Sequence, residues 1–331
     1  IFAITIFALN LSSTRIFAES EFWLALVKVV TVVAFIILGL LAIFGLIPFH
    51  GAESAPLFHN LTAQGWFPQG LVPIFTTMLI VNFAFSGTEL IGVAAGETKD
   101  PAVNVPKAIN AAIWRLLIFF VGTIVVISAL LPFQVAGLGG ESVSNSPFVT
   151  VFNYIGIPYA DDIMRFVIIT ALLSAANSGL YAASRMMWSL SAQRQLPQVF
   201  SRLSSSGTPV IALVVTMFGA IPGLLSEHFA PETIFKNLLG IAAFTMVIVW
   251  MSICWSQFNF RRAWYKAGHS AKDLKFAAPL YPIVPILGFV FCFITGLSMA
   301  ADPEMQAGFI GCLLSIAACY LSHYVFYRDR T

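Results

Sequence analysis

Charge is scarce in this sequence. Asp, Glu, Lys and Arg make up 10% of the 331 residues, hydrophobic residues make up 59%, and the mean hydropathy is +0.88. A soluble domain needs a more polar surface, so this composition excludes one and predicts a polytopic membrane protein. The ten-residue alternating pattern of a membrane β-barrel is missing, so the predicted fold class is all-α.

Cysteine and histidine are also few, at four and five residues. The cysteines, Cys254, Cys292, Cys312 and Cys319, lie singly in apolar segments and are predicted to be small buried hydrophobes. The histidines lack the spacing of metal ligands, and no phosphate-binding GxxxxGK[ST] loop is present, which argues against a nucleotide-driven pump. We predict no metal, no cofactor, no nucleic-acid partner and no enzymatic activity.

The apolar segments predict eight complete membrane spans, because a bilayer core needs about 20 apolar residues. The spans are predicted at 22–46, 73–95, 112–131, 163–190, 209–225, 233–257, 281–300 and 307–327. Residues 1–11 are too short to cross, so we expect them to be the end of a span that starts upstream.

Polar loops are predicted between these spans. A loop with Arg15, Glu19 and Glu21 precedes the span 22–46, and Pro101 and Pro106 mark a connector before the span 112–131. Alternate loops are basic and the others acidic. The positive-inside rule therefore places the basic loops and the C-terminus in the cytoplasm.

The span 73–95 is interrupted at its middle. Ser86, Gly87, Thr88 and Glu89 follow one another there, within the segment FAFSGTELIGVAAGE. Glycine loosens a helix, Ser and Thr compete for its hydrogen bonds, and an ionised Glu at this depth costs several kcal/mol. Such broken helices line the binding cavities of secondary transporters. The alternative is that Glu89 is paired inside the helix bundle for packing alone.

Three further polar residues lie within predicted spans. Lys28 is about two turns into the span 22–46, where its ammonium either reaches the interface or faces a cavity. Ser174 and Asn177, near the middle of the span 163–190, either allow close packing or line a cavity. A small zwitterion suits a cavity lined by Ser86, Thr88, Glu89, Ser174 and Asn177, since exposed carbonyls attract an ammonium and a helix N-terminus attracts a carboxylate.

Two long segments, FAFSGTELIGVAAGETKDPAVNVPKAI and SAANSGLYAASRMMWSLSAQRQLP, resemble the bacterial amino acid transporter branch of the amino acid–polyamine–organocation superfamily. The resemblance runs from residue 1 to the last span. It implies one transmembrane permease domain in the inner membrane, built as an inverted repeat of five plus five helices. Residues 1–46 would be the tail of the first repeat, 73–257 the second repeat and 281–327 two C-terminal helices. The first three helices would be missing, and we expect these 331 residues alone not to transport.

The same resemblance implies roles for individual residues. Phe83 matches an aromatic gate over the substrate, and Ala84, Phe85, Ser86 and Gly87 match the unwound segment whose backbone meets the α-amino group. Thr88, Ser174 and Asn177 complete the implied substrate site. Glu89 matches an acid in substrate recognition or pH response, and Lys28 matches a lysine of proton-coupled relatives.

Two loop segments indicate a subgroup within this branch. GWFPQG and NYIGIPYADDI are most similar to permeases for S-methylmethionine, so we predict a proton-coupled importer of S-methyl-L-methionine that works by alternating access in the lipid bilayer. A permease for lysine or another amino acid is the alternative within the branch. A membrane amino acid sensor is the alternative from another class, and the oligomeric state stays open.

Overall fold

The structure of the chain is a computed structural model. It describes residues 2–327 apart from 13, 53–54, 64, 66, 68–69, 72, 75–76, 79–80, 82–83, 137–145, 222, 224–230 and 302–305. Within these residues every regular element is a helix. The α-helices are α1 (Phe2–Leu11), α2 (Thr14–Ile43), α3 (His59–Thr62), α4 (Leu90–Ala94), α5 (Pro101–Leu116), α6 (Gly122–Leu130), α7 (Phe133–Ala136), α8 (Pro147–Ile155), α9 (Ala160–Ala192), α10 (Val210–Met217), α11 (Pro231–Lys266), α12 (Ile283–Ala301) and α13 (Gln306–Tyr327).

Five helical segments in the described part are long and apolar enough to cross a membrane. They are Ile16–Ile43, Pro101–Leu130, Ala160–Ala192, Asn237–Lys266 and Ile283–Ala301. Their outward faces carry large apolar side chains such as Trp114, Phe166 and Leu297, each more than half exposed, as lipid-facing helices require. The all-α class is confirmed. The nine predicted passes, which are the eight complete spans and the partial span at residues 1–11, stay a prediction. The truncation and the inverted repeat also stay predictions.

Two helices begin earlier than the apolar pattern predicts. Helix α2 starts at Thr14, so Glu21 lies inside it and not in a loop. The predicted connector is also wrong, because α5 starts at Pro101 and joins α6 through a π-helical turn at Leu117–Val121. Proline at the first helical position loses no hydrogen bond, which explains how Pro101 begins the helix. Hydropathy marks the lipid-embedded part of a helix and misses its polar ends.

The chain forms two compact parts. The first contains Ile1–Gly70, Asn110–Tyr181 and Leu203–Thr208. Its core lies where α2 packs against α6 and α8. Phe35 is fully buried, with its ring 4.5 Å from that of Phe148 and 5.5 Å from that of Phe152. Gly39 permits the close approach of α2 to α6, because a Cβ at this position would lie 2.2 Å from Val126 Cγ1.

The second compact part contains Leu71–Ile109, Ala182–Arg202 and Pro209–Thr331. Its core joins α11, α12 and α13 around Phe244, whose ring lies 4.6 Å from that of Phe309. Cys292 and Cys312 are buried here, as predicted. Cys254 is half-buried and Cys319 is exposed, so the prediction of four buried cysteines is wrong for Cys319, which lies on an outward face of α13.

Substitution of Gly308 by alanine should destabilise the second compact part. The added Cβ would lie 2.7 Å from the Cα and carbonyl carbon of Gly240, and backbone atoms cannot move aside cheaply. Overpacking of this kind costs about 1–3 kcal/mol. We expect a lower midpoint of thermal unfolding for Gly308→Ala in detergent.

The matched control is Gly179→Ala, because Gly179 is also helical but a Cβ there meets no atom within 4 Å. Its midpoint should be unchanged or higher, since alanine favours helix by up to about 1 kcal/mol. Equal midpoints for Gly308→Ala and Gly179→Ala would contradict the close contact of α11 and α13.

Candidate functional site

The predicted break at the middle of the span 73–95 is present. Residues 85–89 form a turn, and helix α4 follows at once with only five residues. Gly87 has φ +98°, a conformation in which a side chain is strained. Phe83, the predicted gate, lies outside the described residues. Ala84 is exposed, whereas Phe85, Ser86 and Thr88 are half-buried.

The carboxylate of Glu89 closes this turn. Its Oε1 and Oε2 accept hydrogen bonds from the backbone N–H of Gly87, at 2.9 and 3.1 Å. Oε2 also accepts a hydrogen bond from Nε1 of Trp250 on α11, at 3.1 Å. These donors are neutral, so they orient the carboxylate without cancelling its charge. Glu89 therefore shapes the break, and within the described residues its hydrogen-bond donors are uncharged.

Lys28 lies in a second polar group, in the first compact part. Its Nζ donates a hydrogen bond to Oγ of Ser174 on α9, at 2.7 Å. The Ser174 hydroxyl in turn donates to Oε1 of Glu21. Asn177 Nδ2 donates to the other oxygen of Glu21, at 3.1 Å. An ammonium and a carboxylate on α2 are thus joined through one hydroxyl on α9.

Helix α1, which precedes α2 and α9 in the chain, contributes the last residue of this polar group. Asn10 on α1 donates from Nδ2 to Oδ1 of Asn177, at 2.8 Å, and to the carbonyl of Ile6, at 3.0 Å. Asn10 and Asn177 are 3% and 0% exposed. Because Asn177 Oδ1 accepts this bond, its amide N–H group is turned toward Glu21. Asn10 therefore fixes the orientation of the Asn177 side chain.

Sequence reasoning missed Glu21 and Asn10. Glu21 was hidden because hydropathy alone ended the span at residue 22. With the helix extended to Thr14, Glu21 and Lys28 are seven residues apart and share one face of α2. Ser174 and Asn177, three residues apart, share a face of α9 in the same way. These two helical spacings were the features of the sequence from which the polar group could have been predicted.

The two polar groups lie in different compact parts. The structure brings Ser174 and Asn177 together with Lys28, and it brings Gly87 and Glu89 together with Trp250. The prediction that Ser174 and Asn177 line one cavity with Glu89 stays a prediction.

Comparison with known proteins adds the family. The family model described as amino acid permease matches residues 1–331. The chain belongs to the amino acid permease family. A putative histidine permease of Bacillus subtilis (strain 168) is 45% identical over 332 residues, covering 100% of this chain and 69% of that protein.

Two further relatives of this permease support the assignment. The amino-acid permease RocC of Bacillus subtilis (strain 168) is 44% identical over 331 residues, covering 100% of this chain and 69% of that protein. The lysine-specific permease LysP of Escherichia coli (strain K12) is 39% identical over 295 residues, covering 88% and 60%. With its apolar helices, the chain is a multi-pass membrane protein of a family whose named relatives are transporters.

The substitution Gly87→Ala should strain the turn at the helix break. With φ at +98°, a Cβ costs about 1–2 kcal/mol. If the ligand binds at the turn, this strain should weaken its binding by about tenfold, by the correspondence of 1.4 kcal/mol to a factor of ten. Equilibrium binding of radiolabelled amino acid to the purified permease measures the effect.

Gly92→Ala is the control, because Gly92 lies in α4 just after the turn and a Cβ there meets no atom within 4 Å. Its affinity should stay within twofold of the unchanged protein. A Gly87→Ala variant that binds as tightly as Gly92→Ala would show that the turn does not shape the binding site.

Proposed function

We propose that this permease is a secondary active importer of an amino acid with a positively charged side chain, driven by protons. The observation that carries the proposal is the carboxylate of Glu89 at the helix break. Within the described residues its hydrogen-bond donors, Gly87 and Trp250, are neutral, so a cationic ligand would supply the opposite charge. A break supplies free carbonyls for an α-amino group, and a carboxylate beside it favours a cationic side chain.

The substrate class follows from charge and from the named relatives. Relatives are named for histidine and for lysine, whose side chains can both carry positive charge. S-methylmethionine carries a sulfonium cation and belongs to the same chemical class, so the predicted S-methyl-L-methionine stays within the proposal. Histidine and lysine, for which relatives are named, and S-methylmethionine, the predicted substrate, form the panel to be tested.

Proton coupling is proposed for Lys28. Lys28 is half-buried, and its Nζ is hydrogen-bonded to Ser174, within a helix long enough to span the bilayer. Ionisable side chains inside membrane spans are typical of proton relays in transporters. Import by alternating access would then carry a proton with the amino acid. We place the permease in the bacterial inner membrane with its C-terminus in the cytoplasm, on the basic side of its loops.

The test is uptake of labelled histidine, lysine and S-methylmethionine by cells that express the full-length permease. Saturable uptake that a proton uncoupler abolishes supports the proposal. Uptake that the uncoupler leaves intact would overturn proton coupling. Tight binding of an amino acid without uptake would favour the alternative, a membrane sensor.

Glu89→Gln should weaken recognition of a cationic side chain. The variant keeps an acceptor for Trp250 but removes the negative charge, and a charged hydrogen bond is worth about 1.5–3 kcal/mol. We expect KM for the preferred cationic substrate to rise about tenfold or more, with a smaller effect on a neutral amino acid. Asp100→Asn, at an exposed acid near the same segment, is the control and should leave KM unchanged. Equal losses for cationic and neutral substrates would refute the charge argument.

Lys28→Ala should uncouple transport. Without the ammonium, uptake against a concentration gradient should fall at least tenfold, whereas exchange of labelled for unlabelled substrate needs no net proton movement. Proteoliposomes with an imposed pH gradient separate the two activities. Lys107→Ala, at an exposed lysine of α5, should change neither. Gradient-driven uptake that survives in Lys28→Ala would exclude Lys28 as the coupling residue.

A further inference from the structure

Glu21 lies at the end of a hydrogen-bonded path that begins at Lys28. The path has two steps: Lys28 Nζ donates to Ser174 Oγ at 2.7 Å, and the Ser174 hydroxyl donates to Glu21 Oε1. Ser174 is 1% exposed, so its hydroxyl is shielded from water and bonds within the protein. A hydroxyl that accepts from an acid and donates to a base is arranged to pass a proton between them.

We propose that Glu21 is a second proton-binding site of the permease, which receives the proton of Lys28 through the hydroxyl of Ser174. The inference rests on the proposed role of Lys28. In the transfer an N–H bond of Lys28 breaks and an O–H bond forms at Ser174, while the original O–H bond of Ser174 breaks and one forms at Glu21. The products are a neutral amine, an unchanged hydroxyl group and a neutral carboxylic acid.

Charge balance favours this path over direct loss of the proton from Lys28. Direct loss would leave the carboxylate of Glu21 without its cation, and an unpaired charge away from water is costly. Transfer to Glu21 removes both charges together, so the net charge of the pair is zero before and after. The pair can therefore pass its proton from one group to the other inside the bilayer without creating a lone charge.

The position of Glu21 gives the transfer a direction. Glu21 precedes Lys28 by seven residues in α2, which corresponds to about 10 Å along the helix axis. Arg15 lies in the first turn of α2, so the positive-inside rule predicts that this end of the helix is cytoplasmic. Passing the proton from Lys28 to Glu21 therefore moves it toward the predicted cytoplasmic side, as an importer driven by protons requires.

The surrounding helices hold the acceptor in place. Asn177 donates to the second oxygen of Glu21, and Asn10 fixes the amide of Asn177. One turn from Glu21, Phe17 stacks on Tyr181 of α9 with ring centroids 4.3 Å apart. Helix α2 also carries the ionisable residues Arg15 and Glu19, and Glu19 is exposed. Glu21 is thus the acid that the path selects.

The experiment uses the purified full-length permease in proteoliposomes, with the pH-sensitive dye pyranine inside. Substrate-induced acidification and pH-driven accumulation are measured beside substrate exchange. For Glu21→Gln we expect acidification and accumulation to fall at least tenfold while exchange persists. For Ser174→Ala we expect acidification and accumulation to fall by a similar factor. Ser174→Thr keeps a hydroxyl and should restore coupling to within about threefold. Glu19→Gln is the matched control and should retain every activity.

The outcomes are distinguishable. If the unchanged permease shows no substrate-induced acidification, the proposed proton coupling itself is wrong. If the unchanged permease acidifies the vesicles and Glu21→Gln does so equally, the inference about Glu21 alone is overturned. Loss of exchange in Glu21→Gln, in a variant that remains monodisperse, would assign Glu21 to substrate handling and also overturn it. Retained coupling in Ser174→Ala would exclude the hydroxyl path.

Discussion

The hydrogen bond from Lys28 to Ser174 is the central contact of the polar group in the first compact part. It ties an ammonium in α2 to α9, and through Ser174 it reaches the carboxylate of Glu21. A charge inside a bilayer must be paired, hydrated or neutralised. Here the pairing is indirect, because a hydroxyl stands between the two charges, so the two helices must stay in register for the charges to be satisfied.

The same constraint shapes the helix break in the second compact part. A turn at 85–89 frees backbone groups that a continuous helix would bond internally, and lipid cannot satisfy them. Glu89 satisfies one of these backbone groups by accepting a hydrogen bond from the N–H of Gly87. Trp250 donates a hydrogen bond to Glu89 and so orients its carboxylate. The acid therefore has a structural task as well as the proposed task in recognition, which explains why a carboxylate is tolerated at this depth.

The fold class and the position of the break could be predicted because they depend on local composition. Long apolar segments predict helices, and Ser86, Gly87 and Thr88 in succession predict a turn within one. The first residues of α2 and α5 could not be predicted from hydropathy, since the polar residues at the start of each helix extend it beyond the lipid. The partners of Lys28 could not be predicted either. Ser174 is 146 residues away, and its approach depends on how α2 and α9 pack.

The two acids of the candidate sites differ in what surrounds them, and this difference assigns their tasks. Glu89 accepts hydrogen bonds from neutral donors within the described residues. Glu21 already has an internal cation in Lys28, so its charge is balanced within the protein. An acid whose described partners are neutral suits a charged ligand that arrives from outside, whereas an acid with an internal cation suits a proton that moves between two fixed groups. If the proposed coupling holds, one chain keeps substrate charge and proton charge on separate carboxylates.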